Sequence, residues 1–152
     1  MAHTALQVAD KFIRLGMLRD KYFTQMQLLK LVYIAHGWTL ATTDQPLIHN
    51  QVEAWQYGPV IPELYHELKY NGAKTIQRPI LSEPIVFDKN EEQVIDFTFK
   101  NYGKFSAFQL SNITHAANTP WSRTFGKQNL IPDSLIAAHY KELYQKYSVK
   151  SS

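Results

Sequence analysis

The stretch LLKLVYIAHGWTLA, residues 28–41, decides how the rest of the chain must be arranged. Leu28, Leu31, Val32 and Ala35 fill one face of the helix it predicts, while Leu29, Tyr33, Ile34 and Leu40 fill others, leaving almost no polar side. Such a helix needs neighbours all round, so the central helix of the molecule is expected over about residues 25–41. Gly37 lies inside it, where glycine costs on the order of 1 kcal/mol relative to alanine, and this predicts close approach by another element. The expected neighbour is the segment around Trp55. One side is mixed: Gln27, Lys30, Ile34, Trp38 and Ala41 combine polar and apolar groups, as a partly exposed recognition face would.

Outward from this helix, start signals recur. Thr4 with Gln7, Thr24 with Gln27, Asn90 with Gln93 and Ser106 with Gln109 each set a capping side chain three residues before a Gln that can reach back to the cap amide. They predict helices over about residues 5–15, ended by Gly16, then 25–41, 91–102 and 107–115. Pro62 opens another over 62–69, closed by Asn71 and Gly72, and Thr119 caps one over 120–125. The last, over 133–147, sets Ile136, Tyr140, Leu143 and Tyr147 in register. Residues 46–49 and 52–57, with Asn50 and Gln51 between them, read as a short hairpin that Gly58 and Pro59 terminate. Residues 73–89 read as irregular with a short strand over 84–87, and the tail 148–152 is expected to fray. The expected fold is mainly α (α+β), about seven helices with a small β-hairpin, forming a single domain over residues 1–147.

Composition narrows the function classes. A chain of 152 residues that is 45% hydrophobic and 13% aromatic builds a core, and the lack of cysteine excludes disulfides and thiol nucleophiles. No basic leader runs into an apolar stretch, and no apolar run approaches the roughly 20 residues of a membrane helix, so a soluble cytoplasmic protein is expected. The net charge of +3 gives a mild preference for acidic partners. Lysines and arginines are scattered along the sequence, however, so direct nucleic-acid binding is not expected.

The chemistry-bearing residues lack catalytic spacing. His36, His66 and His115 fall on three different predicted helices, none with a second ligand one helical turn away, so no metal is expected. Glu53, on a predicted strand near Tyr57 and His36, is the carboxylate best placed for proton transfer, but it reads equally as a buried brace bonded to a tyrosine or histidine. No nucleophile elbow or phosphate loop occurs, and no cofactor is expected. What remains are aromatics, Trp38, Trp55, Tyr57, Tyr65 and Tyr70, of the kind that anchor protein interfaces. The residues expected to touch a partner are Lys30, Ile34, Trp38, Trp55, Tyr57 and Pro59.

Three quoted segments then form a recognisable set: LLKLVYIAHGW (28–38), VEAWQYGPVIPELYHELK (52–69) with PLI at 46–48 before it, and SAFQLSNITH (106–115) leading to TPW at 119–121. Together they resemble the Panacea domain, the SocA-like antitoxin domain shared by the phage-associated GepA family. Positions carried over from that pattern are His36, Gly37, Trp38, Glu53, Trp55, Tyr57, Gly58, Pro59, Val60, Tyr65, His66, Thr114, His115, Pro120 and Trp121. The resemblance implies a mainly helical domain that neutralises a cognate protein toxin by direct binding, without catalysis. Two alternatives stand beside it: an adaptor that delivers the toxin to a cytoplasmic protease, and a hydrolase using Glu53, His36 and His115. Homo-oligomers are left open.

Overall fold

The computed structural model describes residues 2–151, with side chains described for residues 2–147. Its helices among the described residues are α1 (Ala5–Met17), α2 (Gln25–Thr43), α3 (Pro62–Leu68), α4 (Lys89–Tyr102), α5 (Ala107–Thr114), α6 (Pro120–Thr124) and α7 (Asp133–Ser151), and a 3₁₀ turn (Lys69–Asn71) follows α3. Five short strands complete the set: β1 (Phe23–Thr24), β2 (Val52–Trp55), β3 (Gly58–Val60), β4 (Thr75–Ile76) and β5 (Leu130–Ile131). The fold is mainly α with a small antiparallel β part. Among the described residues no helix is long and apolar enough to cross a membrane. The tail expected to fray, residues 148–152, lies outside the residues whose side chains are described.

α2 is the hub, packed against α1, α4, α5 and α7. Its residues from Leu28 to Leu40 are all buried, which its all-round apolar character requires. Closure extends to the side expected to stay partly open: Lys30, Ile34 and Trp38 are 1%, 0% and 4% exposed, so none of them is a surface contact. The reason lies in elements distant in sequence. The Trp38 ring meets Phe97 of α4 and Tyr140 of α7 edge to face, each at 5.3 Å, and its Nε1 donates to the Tyr102 hydroxyl at 3.3 Å. Gly37 does meet a close neighbour, but it is Tyr140 and not the Trp55 segment. A Cβ at Gly37 would lie 2.3 Å from that ring.

The caps form as their local chemistry dictates. Thr4, Thr24 and Ser106 each close a reciprocal capping box with the Gln three residues on, and Thr119 does so with Ser122. α4 departs from expectation, because Asp88 with Glu91 forms the box in place of Asn90 with Gln93. Two carboxylates there favour the positive end of the helix, and the Glu91 carboxylate also receives His3 Nε2 at 3.0 Å.

The hairpin is corrected as well. β2 pairs with β3, in register Glu53 with Val60, Ala54 with Pro59 and Trp55 with Gly58, so residues 56 and 57 make the turn. The segment 46–49 contributes only a parallel bridge between Ile48 and His3. Pro59 is compatible with a strand because β3 is an edge of the sheet ordered β3-β2-β5, where a missing amide is tolerated. Gly58 sits at φ 126°, a region open to glycine alone, and so continues the chain into β3 where it had been expected to end the strand. The strand expected over 84–87 is absent, while β4 pairs with β1 instead.

Candidate functional site

The β2–β3 hairpin is held from beneath by α2 and from the side by α5 and α6. Beneath, the Lys30 ammonium rises from the buried interior and donates to the Pro59 carbonyl at 2.9 Å. Gly58 lies directly over that amine, since a Cβ there would be 2.8 Å from Lys30 Nζ and 3.5 Å from the His115 Cβ. Burial pulls the Lys30 pKa down from 10.5 to about 8. Its amine has no carboxylate partner among the described residues.

From the side, the Ser111 hydroxyl donates to the Tyr57 carbonyl at 2.9 Å, and Trp121 Nε1 donates to the Trp55 carbonyl at 2.6 Å. These two bonds grip the turn residue Tyr57 and the last residue of β2 from a helix each. His115 Nδ1 donates back to the Ser111 carbonyl, and its ring meets Trp121 edge to face at 5.5 Å. The Thr114 hydroxyl bonds within its own helix to the Leu110 carbonyl, and Pro120 occupies the first turn of α6, where its missing amide costs nothing.

Most of the expected site residues thus divide into two groups. Glu53, Trp55, Tyr57, Gly58, Pro59, Val60, Tyr65, Thr114, His115, Pro120 and Trp121 belong to the hairpin, to the side chains touching it, or to the α5 and α6 positions that carry those side chains. His36, Gly37 and Trp38 belong to the packing of α2: His36 Nε2 bonds the Asp133 carboxylate at 2.9 Å, at the start of α7. Glu53 is a brace, but for a tryptophan, because its Oε1 accepts Trp55 Nε1 at 2.8 Å. Trp55 in turn meets Tyr65 edge to face at 5.2 Å, and Tyr65 meets His66 at 5.5 Å. Glu53, His36 and His115 each have a different bonding partner. Among the described residues no group of three or more His, Asp or Glu could hold a metal ion.

The large apolar side chains this cluster offers to solvent are Tyr57, Phe125 and Leu130. Tyr57 at the hairpin tip is 67% exposed, and Phe125, stacked on Trp121 at 4.8 Å, is 43% exposed. Leu130 of β5, paired with Glu53 on the far side of β2, borders a groove of about 650 Å³ whose lining residues are mostly polar, with His49, Asn50, Gln51, Gln128, Asn129 and Asp133. Sequence reasoning missed Ser111, Phe125 and Leu130 as site residues. The signal for Phe125 was its position four residues after Trp121 on the same helical stripe.

The fixed hairpin is built from segments that coincide with a family signature: residues 28–122 match the family described as Antitoxin SocA-like, Panacea domain. The chain belongs to that family. This Panacea-domain chain is also 32% identical over 127 residues to Antitoxin SocA of Caulobacter vibrioides (strain NA1000 / CB15N), across 77% of its own length and 68% of that protein. No solved structure matches it. The matched span takes in Lys30, the hairpin, α5 and Trp121, which are the parts that meet at this site.

Proposed function

We propose that the chain is the antitoxin of a toxin–antitoxin pair and that it neutralises a cognate protein toxin by direct binding at the hairpin tip. The observation that carries this reading is the clamped turn: Tyr57 projects into solvent from a backbone fixed by Ser111 on one side and Trp121 on the other. An aromatic carried on a fixed backbone has less freedom to lose on binding than one on a mobile loop, which favours it as an interface anchor. Trp55, Phe125 and Leu130 continue the surface around it. Lys30, Ile34, Trp38 and Pro59 act from inside, as the support on which the hairpin and its helices rest. No turnover is part of this reading, since Glu53 is engaged by Trp55.

Protection at cellular concentrations calls for a nanomolar dissociation constant, about 12 kcal/mol of binding. Replacing Tyr57 and Phe125 by alanine is expected to leave the melting temperature nearly unchanged and to abolish protection when the chain is co-expressed with the product of the adjacent gene. Full protection by that variant would refute the hairpin tip as the toxin's seat. Glu53→Gln, which keeps an oxygen for Trp55, is expected to protect normally. Loss of protection in folded Glu53→Gln would favour the hydrolase reading. A toxin half-life that shortens in the antitoxin's presence would favour delivery to a protease.

A further inference from the structure

Five cations that are scattered along the sequence come together at one end of the molecule. Arg19 Cζ stands 5.5 Å from the centre of the Phe99 ring, Lys21 Nζ stands 6.0 Å from that of Phe23, and the two rings meet edge to face at 5.9 Å. Phe23 is in β1, whose partner β4 begins immediately after Lys74. The Gln25 side chain, in the first turn of α2, donates to the carbonyls of Lys69 and Gly72 at 3.4 and 3.2 Å. Gln27 donates to the Phe105 carbonyl at 3.1 Å, and Lys104 Nζ stands 5.5 Å over the Phe105 ring. All five cations are thereby tied to β1 and the first turn of α2.

None of the five forms an ion pair among the described residues, whereas Lys11, Arg14, Lys141 and Lys146 each have a carboxylate. Asp20 and Glu67 are the carboxylates closest to them along the chain, too few to balance the charge. Beside these cations stand apolar side chains with little cover: Leu18 is 83% exposed, Tyr70 87% and Met17 38%. Unpaired positive charge attracts an acidic surface and sets its orientation. Leu18 and Met17 decide between acidic surfaces, because a phosphate backbone has no apolar area to cover them, while a protein face has.

We propose that this end of the molecule docks a carboxylate-rich protein surface with an apolar centre. The inference does not rest on the hairpin tip, with which it shares no residue. It is tested with the full chain and three labelled probes, a peptide alternating glutamate and leucine, poly-L-glutamate and a short duplex DNA, by fluorescence anisotropy at low salt. The glutamate–leucine peptide is expected to bind more tightly than polyglutamate. A chain carrying Arg19→Glu, Lys69→Glu, Lys74→Glu and Lys104→Glu, all exposed positions, is expected to keep its melting temperature and to lose about tenfold or more in affinity for that peptide. Leu18→Ser is expected to weaken the peptide several-fold and to leave polyglutamate unchanged, and Tyr57→Ala is expected to change neither. Equal peptide binding by the charge-reversed chain, no preference for the peptide over polyglutamate, or tighter binding of DNA than of either would each overturn the proposal.

Discussion

Lys30 is a full charge placed in the interior with one carbonyl for company, and its energetics can be read from pH. In the unfolded chain the amine keeps its proton up to about pH 10.5, but in the fold it releases it near pH 8. Between those values the unfolded state binds more protons, so stability rises as pH climbs above 8. Below pH 8 both states are protonated and the whole cost applies, about 3 kcal/mol for a shift from 10.5 to about 8. The rise ends near pH 10, because burial holds the Tyr33 and Tyr140 hydroxyls protonated in the fold while unfolded tyrosines ionise there. Lys30→Met is therefore expected to be more stable at pH 7 and to lose the increase between pH 8 and 10 in urea titrations. A variant that keeps the increase would show that another group causes it. Gly37 is the opposite kind of residue, fixed by space. Gly37→Ala places a methyl 2.3 Å from the Tyr140 ring and is expected to cost about 1–3 kcal/mol, measured as a fall in the urea midpoint.

At the scale of elements, the hairpin owes its position to bonds that come from outside it. Two strands of three and four residues are marginal alone, so the clasp by α5 and α6 has to supply the order. Trp121→Phe keeps the stack on Phe125 but removes the donor to the Trp55 carbonyl, and is expected to speed amide exchange across residues 52–60 while α2 stays protected. Unchanged exchange would mean that Ser111, Lys30 and the pairing with β5 suffice without Trp121. The same distinction explains what could be read from the sequence. Capping boxes at Thr4, Thr24 and Ser106 are legible because cap and partner are three residues apart, and the burial of most of α2 is legible because its composition leaves almost no polar side. At α4 two cap pairs overlap, and the acidic one prevailed through helix-end electrostatics and a partner, His3, that lies far away in the chain. The pairing of β2 with β3 was missed because Gly58-Pro59 normally breaks strands, and only the edge position makes it acceptable. The neighbour of Gly37, the covering of Trp38 and the gathering of cations around β1 all depend on contacts between distant segments, which no local pattern encodes. Which aromatics are exposed is likewise set by these contacts: Trp55 and Tyr57 stay partly accessible, whereas the mixed side of α2 with Lys30, Ile34 and Trp38, which the sequence pattern suggests is partly open, lies inside.

For the molecule as a whole, two surfaces of unlike chemistry share one helical body. The hairpin tip carries the exposed aromatics Tyr57 and Phe125; the end around β1 is cationic, with five charges that form no ion pair among the described residues. Ionic strength separates them. Exposed charges are screened beyond about 10 Å at 0.1 M salt and about 3 Å at 1 M, while burial of aromatic area is not weakened by salt. If the toxin is seated on the hairpin tip, its dissociation constant should change by less than about threefold between those salt concentrations, with only the association rate slowing as the long-range field is screened. Calorimetry for the equilibrium and stopped-flow mixing for the rate would check this on the purified pair. A dissociation constant that rises by a factor of about a hundred would place the toxin on the cationic end, and Tyr57→Ala would then leave that constant unchanged where Lys74→Glu alters it.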